Sequence, residues 1–205
     1  MQTNALYQLG IKGFGKADAL AESLGTSEAD LAPVLARLET DGLTAPTRVG
    51  LRLSPEGKAQ FERLVAETRA SLDADRLEAE HDRFVPLNSE FKHLVTNWQM
   101  REVDGAMVPN DHSDADYDAG ICARLAPVHD GIIALLGDMA GHIPHMADYT
   151  RRFDGALAKF KAGEHKYLTA PIIDSYHTIW FELHQDMIGL LGRSRADEAK
   201  AGRAV

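Results

Sequence analysis

Apolar residues recur every three or four positions along most of this chain, and the pattern predicts a mainly α-helical protein. The exception lies in the first third, where apolar and polar positions alternate over 43–45 and 49–53, as in two short β-strands around a turn. We therefore expect a mixed helix and strand domain over 1–66. A helical linker over 67–84 and an all-helical domain of four or five helices over 85–192 would follow it.

Two charged segments flank the predicted helical domain. In the linker, Leu72 and Leu77 stand among charged residues, which fits an amphipathic helix that either ties the domains together or pairs two subunits. The last segment, 193–205, is small and charged without an apolar stripe, so we expect a flexible tail.

The first domain has the order of a helix-turn-helix followed by a β-ribbon. A short helix over 17–24 ends at Gly25, and Ser27 then supplies the N-cap of a second helix that ends at Gly42. The two strands come next, and Ser54 opens the following helix.

In this order and spacing, the segment from about residue 5 to 70 resembles the winged-helix transcriptional regulators of the MarR and related families. The resemblance implies that the second helix enters the DNA major groove and that the ribbon forms the wing. Five residues are then expected at the DNA surface: Lys16, Ser27, Arg37, Arg48 and Arg52.

The start of the second helix is short of the side chains that recognise bases. Five of its positions carry no side-chain hydrogen-bond donor, namely Glu28, Ala29, Asp30, Ala32 and Pro33. The two carboxylates among them repel phosphate. Two interpretations stay open: DNA contact through the wing and the helix ends, or a degenerate winged helix that contacts other proteins.

The last predicted helix, 172–191, is the most informative part of the helical domain. At 100° per residue, His177 and His184 fall on its apolar side, whereas Glu182 and Asp186 fall on the opposite side. Both histidines are therefore expected inside the domain, where a polar group without a hydrogen-bond partner costs about 1–3 kcal/mol.

Three explanations of these inward histidines stay open: a small-molecule pocket, a metal site, or histidines that hydrogen-bond within the core. The pocket would be lined by Trp98, His129, Tyr176, His177, Trp180 and His184. A metal ion could take only one of the pair, because their spacing spans about 10.5 Å of helix. Its other ligands would come from His129, Asp130, His142 or His145. We predict no metal and no cofactor.

Signatures of enzymes and of ion-binding loops are weak. Aspartates over 110–120 suggest a calcium loop, but the required Gly and Glu are displaced or missing, so Asp114 is expected to cap the next helix instead. The sequence has no phosphate-binding loop, dinucleotide fingerprint or nucleophile elbow. Cys122 fits a buried thiol better than a nucleophile. We expect no enzymatic activity.

Composition limits the location and the partners. The net charge of the 205-residue chain is −9, and neither its first 70 residues nor the remainder is basic, so any DNA contact must be a local patch. A single cysteine excludes a disulfide within the chain. The start lacks the features of a secretory signal, and the longest apolar run, 132–136, is too short to span a bilayer. We expect a cytoplasmic protein without membrane contact.

Together these features predict a ligand-responsive transcriptional regulator. The winged helix would bind DNA, and the helical domain would bind a small-molecule effector and hold two subunits together as a homodimer. The alternative is an adaptor or regulatory subunit that does not bind DNA and uses both domains for protein contacts.

Overall fold

A computed structural model describes residues 1–200 of the chain. Over this range the protein is mainly helical, with two small antiparallel sheets of two strands each. The helices are α1 (Gln2–Lys12), α2 (Ala17–Leu24), α3 (Glu28–Thr40), α4 (Pro55–Ala70), α5 (Ala74–Gln99), α6 (Ala115–Ala140), α7 (Met146–Lys161), α8 (Lys166–Thr169), α9 (Tyr176–Leu190) and α10 (Arg195–Lys200). The strands are β1 (Thr44–Thr47), β2 (Gly50–Leu53), β3 (Met100–Val103) and β4 (Ala106–Pro109).

Helices α1 to α4 and strands β1 and β2 form what we call the N-terminal unit. The first three helices pack around a small core in which Leu6, Leu20 and Leu38 are almost fully buried. β1 pairs with β2, and a single bridge joins Leu51 on β2 to Gly15 in the loop before α2. A helix, a turn, a second helix and two strands thus follow one another in the predicted order.

Local signals at helix ends act as expected. Gly25 has a φ of 63°, the left-handed conformation that ends many helices, and it ends α2. Ser27 Oγ accepts a hydrogen bond from the N–H of Asp30 at 3.1 Å and so caps α3. Asp114 caps α6 in the same way, through the N–H of Tyr117 at 3.0 Å. The prediction of a helix cap at Asp114 is confirmed.

Helices α5 to α10 and strands β3 and β4 form the C-terminal unit. α5 runs without a break across the predicted boundary after residue 84. Phe84 is fully buried in the core of the C-terminal unit. The predicted linker over 67–84 is therefore not a separate element, because its first residues end α4 and most of the rest belong to α5.

A β-hairpin stands where only helices were expected. β3 and β4 are joined by Asp104 and Gly105, which have positive φ angles of 51° and 79°. An Asp-Gly pair of this kind is a favoured two-residue hairpin turn. The prediction of a strand-free domain is wrong, because this local turn signal prevails over the helical pattern around it.

The prediction of a flexible tail over 193–205 is wrong for residues 193–200, which the structure describes. α10 lies within it, and Glu198 on this helix is fully buried. The helix needs no apolar stripe, because Arg195 Nε donates to Gln185 Oε1 at 2.7 Å and its guanidinium lies 3.5 Å from the ring centre of Phe181. Residues 201–205 of the predicted tail lie outside the described residues.

α6 is long and apolar enough, by length and composition, to cross a membrane. One 18-residue window within it has a mean hydropathy of 1.4, although it contains no long uninterrupted apolar run. Core helices of water-soluble proteins also meet this criterion, so it is weak evidence for a span. Cys122 on α6 is exposed rather than buried as expected, because Ile121 and Leu125 direct the buried side of the helix away from it.

A close contact between α4 and the segment before β1 can be tested at Gly57. A Cβ atom there would lie 1.9 Å from the carbonyl oxygen of Leu43, so backbone must move to make room. We expect Gly57→Ala to lower the free energy of unfolding by about 1–3 kcal/mol, as overpacking does. Urea denaturation followed by circular dichroism measures the change.

Gly137→Ala is the matched control. Gly137 lies within α6, and an added Cβ would have nothing within 4 Å. The greater helix propensity of alanine should raise the free energy of unfolding by about 0.5–1 kcal/mol. Changes of the same sign and size in both variants would contradict the contact at Gly57.

Candidate functional site

Four charged side chains are buried where the two units meet, and we call them the junction cluster. Lys12 comes from α1, Arg152 from α7, Asp174 from the loop before α9, and Glu182 from α9. None of these side chains is more than 8% exposed. Two cations match two anions, so the cluster can be buried without a net charge.

Both cations bridge both carboxylates. Arg152 contacts Asp174 through Nε at 2.7 Å and Nη2 at 2.9 Å, and it contacts Glu182 through Nη2 at 2.7 Å. Lys12 Nζ lies 2.9 Å from Asp174 Oδ1 and 2.8 Å from Glu182 Oε1. Gln8 of α1 donates to Glu182 Oε2 at 3.0 Å. Each carboxylate therefore joins the N-terminal unit to the C-terminal unit.

The pKa values of Asp174 and Arg152 favour the charged forms of these two groups. Burial acts to raise the pKa of Asp174, but the hydrogen bonds and charges of Arg152 and Lys12 outweigh burial and lower this pKa to about 2. Burial acts to lower the pKa of Arg152, and the two carboxylates raise it above its ordinary value. Arg152 and Asp174 are therefore both ionised near neutral pH.

Another buried carboxylate, Asp186, lies one turn after Glu182 on α9. It accepts hydrogen bonds from Tyr7 Oη at 2.5 Å and Tyr149 Oη at 3.1 Å, and His145 Nε2 lies 2.9 Å from it. Burial lowers the pKa of His145, but the charge of Asp186 outweighs this effect and raises it. Because Tyr7 belongs to α1, this contact also joins the two units.

These contacts change the expected surroundings of α9. Glu182 and Asp186 lie opposite its apolar side, as predicted, yet both are buried because α1 covers them. Of the two histidines expected inside, His184 is buried, whereas His177 is only partly buried. α9 is therefore enclosed by both units rather than by the C-terminal unit alone.

A cavity of about 540 Å³ opens beside the junction cluster. Three members of the cluster line it, namely Lys12, Asp174 and Glu182, and His177 lines it as well. Lys16 and the β1–β2 turn contribute from the N-terminal unit, and the loop before α9 contributes from the C-terminal unit. Four of the lining residues are large apolar side chains exposed to solvent: Phe14, Val49, Ile172 and Phe181.

Ile172, on the wall of this cavity, has a backbone conformation that is rare for its type. Its φ is 75°, in the left-handed region that β-branched residues avoid, and its side chain is 71% exposed. Such strain costs on the order of 1–3 kcal/mol and concentrates at functional sites. It marks the loop before α9 as part of the candidate site.

The six residues predicted to line one pocket lie in separate places. Only His177 lines the cavity, and its burial lowers its pKa. Tyr176 and Trp180 are fully buried in the core. Tyr176 Oη lies 3.2 Å from His129 Nδ1, and Trp180 Nε1 donates to Asn88 Oδ1 at 2.9 Å. These polar groups therefore have protein partners.

Neither Trp98 nor His184 lines the cavity, and the two side chains pack against different aromatic rings. The ring centres of Trp98 and His112 are 4.4 Å apart, and those of His184 and Phe84 are 5.2 Å apart. Helical periodicity placed these side chains inside the C-terminal unit correctly. It did not indicate which of them reach a cavity.

The residues predicted at the DNA surface are all exposed, but two of them are engaged in local contacts. Ser27 Oγ caps α3 and donates to Asp30 Oδ2 at 2.6 Å. Arg37 Nε donates to Asp41 Oδ2 at 3.1 Å. Lys16 lines the cavity between the two units.

Arg48 and Arg52 are the two remaining residues of that set. Arg48 lies in the β1–β2 turn and Arg52 lies on β2 opposite Ala45. Both are exposed, and neither forms an ion pair with a residue that the structure describes. The ribbon is therefore one place in the N-terminal unit where positive charge is available to a partner.

A buried triad on another side of α9 does not follow from any local sequence pattern. It consists of His81 on α5, His184 on α9 and Glu198 on α10. His81 Nε2 and His184 Nε2 lie 3.6 and 3.7 Å from Glu198 Oε2. Burial and the charge of Arg195 lower the pKa of His184 to about 4. The metal partners considered for His184 are not in this triad: His129, Asp130, His142 and His145.

Comparison of the chain with protein families, curated proteins and solved structures gives no match. What the cavity can bind therefore follows from its own lining. It combines two ammonium groups, an imidazole and carboxylates with apolar side chains that are exposed to solvent. Such a lining suits a small amphipathic molecule.

The charge on Asp174 can be tested through pH. A pKa that falls on folding from 3.8 to about 2 contributes about 2 kcal/mol of stability above pH 4, and this contribution is lost as the pH falls toward 2. Asp174→Asn should therefore be less stable than wild type at neutral pH, and the difference should shrink on acidification. Urea denaturation at a series of pH values measures it.

Glu67→Gln serves as the control, because Glu67 is exposed on α4. Its stability should follow that of wild type within about 0.5 kcal/mol at every pH. A stability difference for Asp174→Asn that does not depend on pH would contradict the lowered pKa of Asp174.

Proposed function

We propose that this protein is a ligand-responsive, DNA-binding transcriptional regulator, active as a cytoplasmic homodimer. In this proposal the N-terminal unit is a winged helix, with α2 and α3 as the helix-turn-helix and β1 and β2 as the wing. The C-terminal unit is a helical domain that senses an effector and holds the dimer together. The order of elements from α2 to α4 supports the first part, as does the bridge between Gly15 and β2.

The observation that carries the proposal is the shared cavity. Lys16 and Val49 line it from the N-terminal unit, and Ile172 and His177 line it from the C-terminal unit. A molecule bound there contacts both units, so its binding favours one arrangement of the two over others. The separation of two DNA-binding units in a dimer must match the spacing of the half-sites, so such a shift would alter DNA affinity.

The exposed charges indicate how DNA would be held. Arg48 and Arg52 on the ribbon can bind phosphates, and contacts to phosphates position a protein without selecting a sequence. The start of α3 offers no side-chain donor to bases and exposes two carboxylates, Glu28 and Asp30. We therefore propose that the wing supplies most of the affinity and that readout of bases by α3 is modest.

The acidic start of α3 also favours a second candidate function. Glu28 and Asp30 are exposed in its first turn, and Arg37 is paired with Asp41. An acidic helix surface of this kind is suited to a basic surface on another protein. The second candidate is therefore an adaptor or regulatory subunit that does not bind DNA.

DNA titration distinguishes the two candidates. Wild type should bind a labelled fragment from upstream of its own gene, with an affinity that falls steeply with salt. Arg48→Ala and Arg52→Ala should each lower the slope of log affinity against log salt by about 0.9, one phosphate contact each. Fluorescence anisotropy at several salt concentrations measures both quantities.

Arg124→Ala is the charge-matched control for this titration. Arg124 is exposed on α6 and pairs with Glu90 at 2.7 Å, away from the ribbon. Its slope should equal that of wild type. The absence of binding at the lowest salt would reject the regulator and favour the adaptor, whereas equal slopes in all variants would reject the wing as the DNA contact.

The cavity can be tested with an amphipathic probe, anilinonaphthalene sulfonate. The probe should bind folded wild type with increased fluorescence, and Ala19→Trp, which fills the cavity from α2, should weaken binding at least about tenfold. Ala66→Trp, on the exposed side of α4, is the control and should bind like wild type. Equal probe affinity in all three proteins would place the probe elsewhere and contradict an accessible binding cavity.

A further inference from the structure

Three helices bring two imidazoles and one carboxylate to a single buried point. His81, His184 and Glu198 are each at most 1% exposed, and one ligand atom from each lies within 4.8 Å of the others. Both imidazole Nε2 atoms are 3.6–3.7 Å from the same oxygen, Glu198 Oε2. Ligand atoms about 2.1 Å from a tetrahedral ion are about 3.4 Å from one another. The two distances from the imidazoles to Glu198 Oε2 therefore already agree with such a site within a few tenths of an ångström.

His184 is a second and independent sign that something binds here. Neither of its ring nitrogens has a hydrogen-bond partner among the residues that the structure describes, although the side chain is buried. Buried polar groups in native proteins almost always have a partner. A metal ion between His184 and Glu198 would supply one, because it accepts the imidazole lone pair directly.

Arg193 is a charged neighbour of the triad, but its shorter contacts are with a different carboxylate. Arg193 Nη1 lies 3.9 Å from Glu198 Oε1, but Nη2 of the same guanidinium is held by both carboxylate oxygens of Glu78 at 2.7 Å. Arg193 Nη1 also lies 3.4 Å from His81 Nδ1. When His81 binds an ion through Nε2, its proton sits on Nδ1, so this long contact opens while the pair with Glu78 keeps Arg193 in place.

We propose that His81, His184 and Glu198 form a binding site for a divalent transition-metal ion, with Zn²⁺ as the ion that fits best. Two imidazoles and one carboxylate are a donor set that suits zinc, whereas Mg²⁺ and Ca²⁺ require mainly oxygen ligands. Three protein ligands leave one position of a tetrahedral ion for water or a small anion. The bound ion fastens α10 to α5 and α9.

The test uses the full-length, metal-free protein and Co²⁺ as a visible probe for the zinc position. Wild type should bind one equivalent of Co²⁺ with the absorption of a tetrahedral complex, and Zn²⁺ should displace it. His184→Gln and Glu198→Gln should each weaken binding more than about 100-fold, since loss of even an outer-shell partner commonly weakens it 10–100-fold. Circular dichroism checks that each variant is folded.

His93→Gln is the matched control, because His93 lies on the same helix as His81 but is exposed. It should bind Co²⁺ like wild type. If His184→Gln does not fold, Glu198→Gln decides, since Glu198 lies on the short helix α10. Unchanged Co²⁺ affinity in a folded ligand variant, or no stoichiometric binding by wild type, would overturn the proposal. Neither result depends on whether the protein binds DNA.

Discussion

The contact of Arg152 with Asp174 and Glu182 is the constraint on which the arrangement of the two units depends. One guanidinium neutralises only one of the two carboxylates, so covering both with α1 would bury an unpaired negative charge if α1 brought no cation. Lys12 of α1 supplies the second positive charge at 2.9 and 2.8 Å from the two acids. A buried charge left without its partner costs about 3–5 kcal/mol, so the cluster holds α1 in one position against α9.

The same carboxylates connect this constraint to the cavity. Asp174 and Glu182 belong to the junction cluster and also line the cavity, so a molecule there meets the groups that orient the N-terminal unit. Ile172 lies two residues before Asp174, and a strained φ persists only where the surroundings fix the backbone. Arg152 fixes Asp174 and so holds one end of that strained loop. In the proposed regulator, an effector in the cavity would therefore act through the junction cluster rather than through the aromatic core.

The sequence predicted features that short-range chemistry decides and missed those that depend on packing between distant segments. The helix stop at Gly25 and the cap at Ser27 are local, and both are present. The hairpin turn at Asp104 and Gly105 is equally local, and this Asp-Gly pair is a sequence signal from which the hairpin can be predicted. Periodicity assigned Glu182 to the polar side of α9, but no local pattern shows that α1 covers that side. Glu198 stands in a segment without an apolar stripe, so its burial depends on tertiary contacts.

α9 contributes side chains to both candidate sites, the junction cluster and the triad, from different sides of the helix. Glu182 and His184 are two residues apart, so their side chains point roughly 200° apart around the helix. Glu182 belongs to the junction cluster, and His184 belongs to the triad with His81 and Glu198. A metal ion requires its ligand atoms within a few tenths of an ångström of fixed positions. Any displacement of α9 relative to α5 and α10 that a molecule in the cavity produces would therefore change metal affinity, and by reciprocity a bound metal would change the affinity of the cavity.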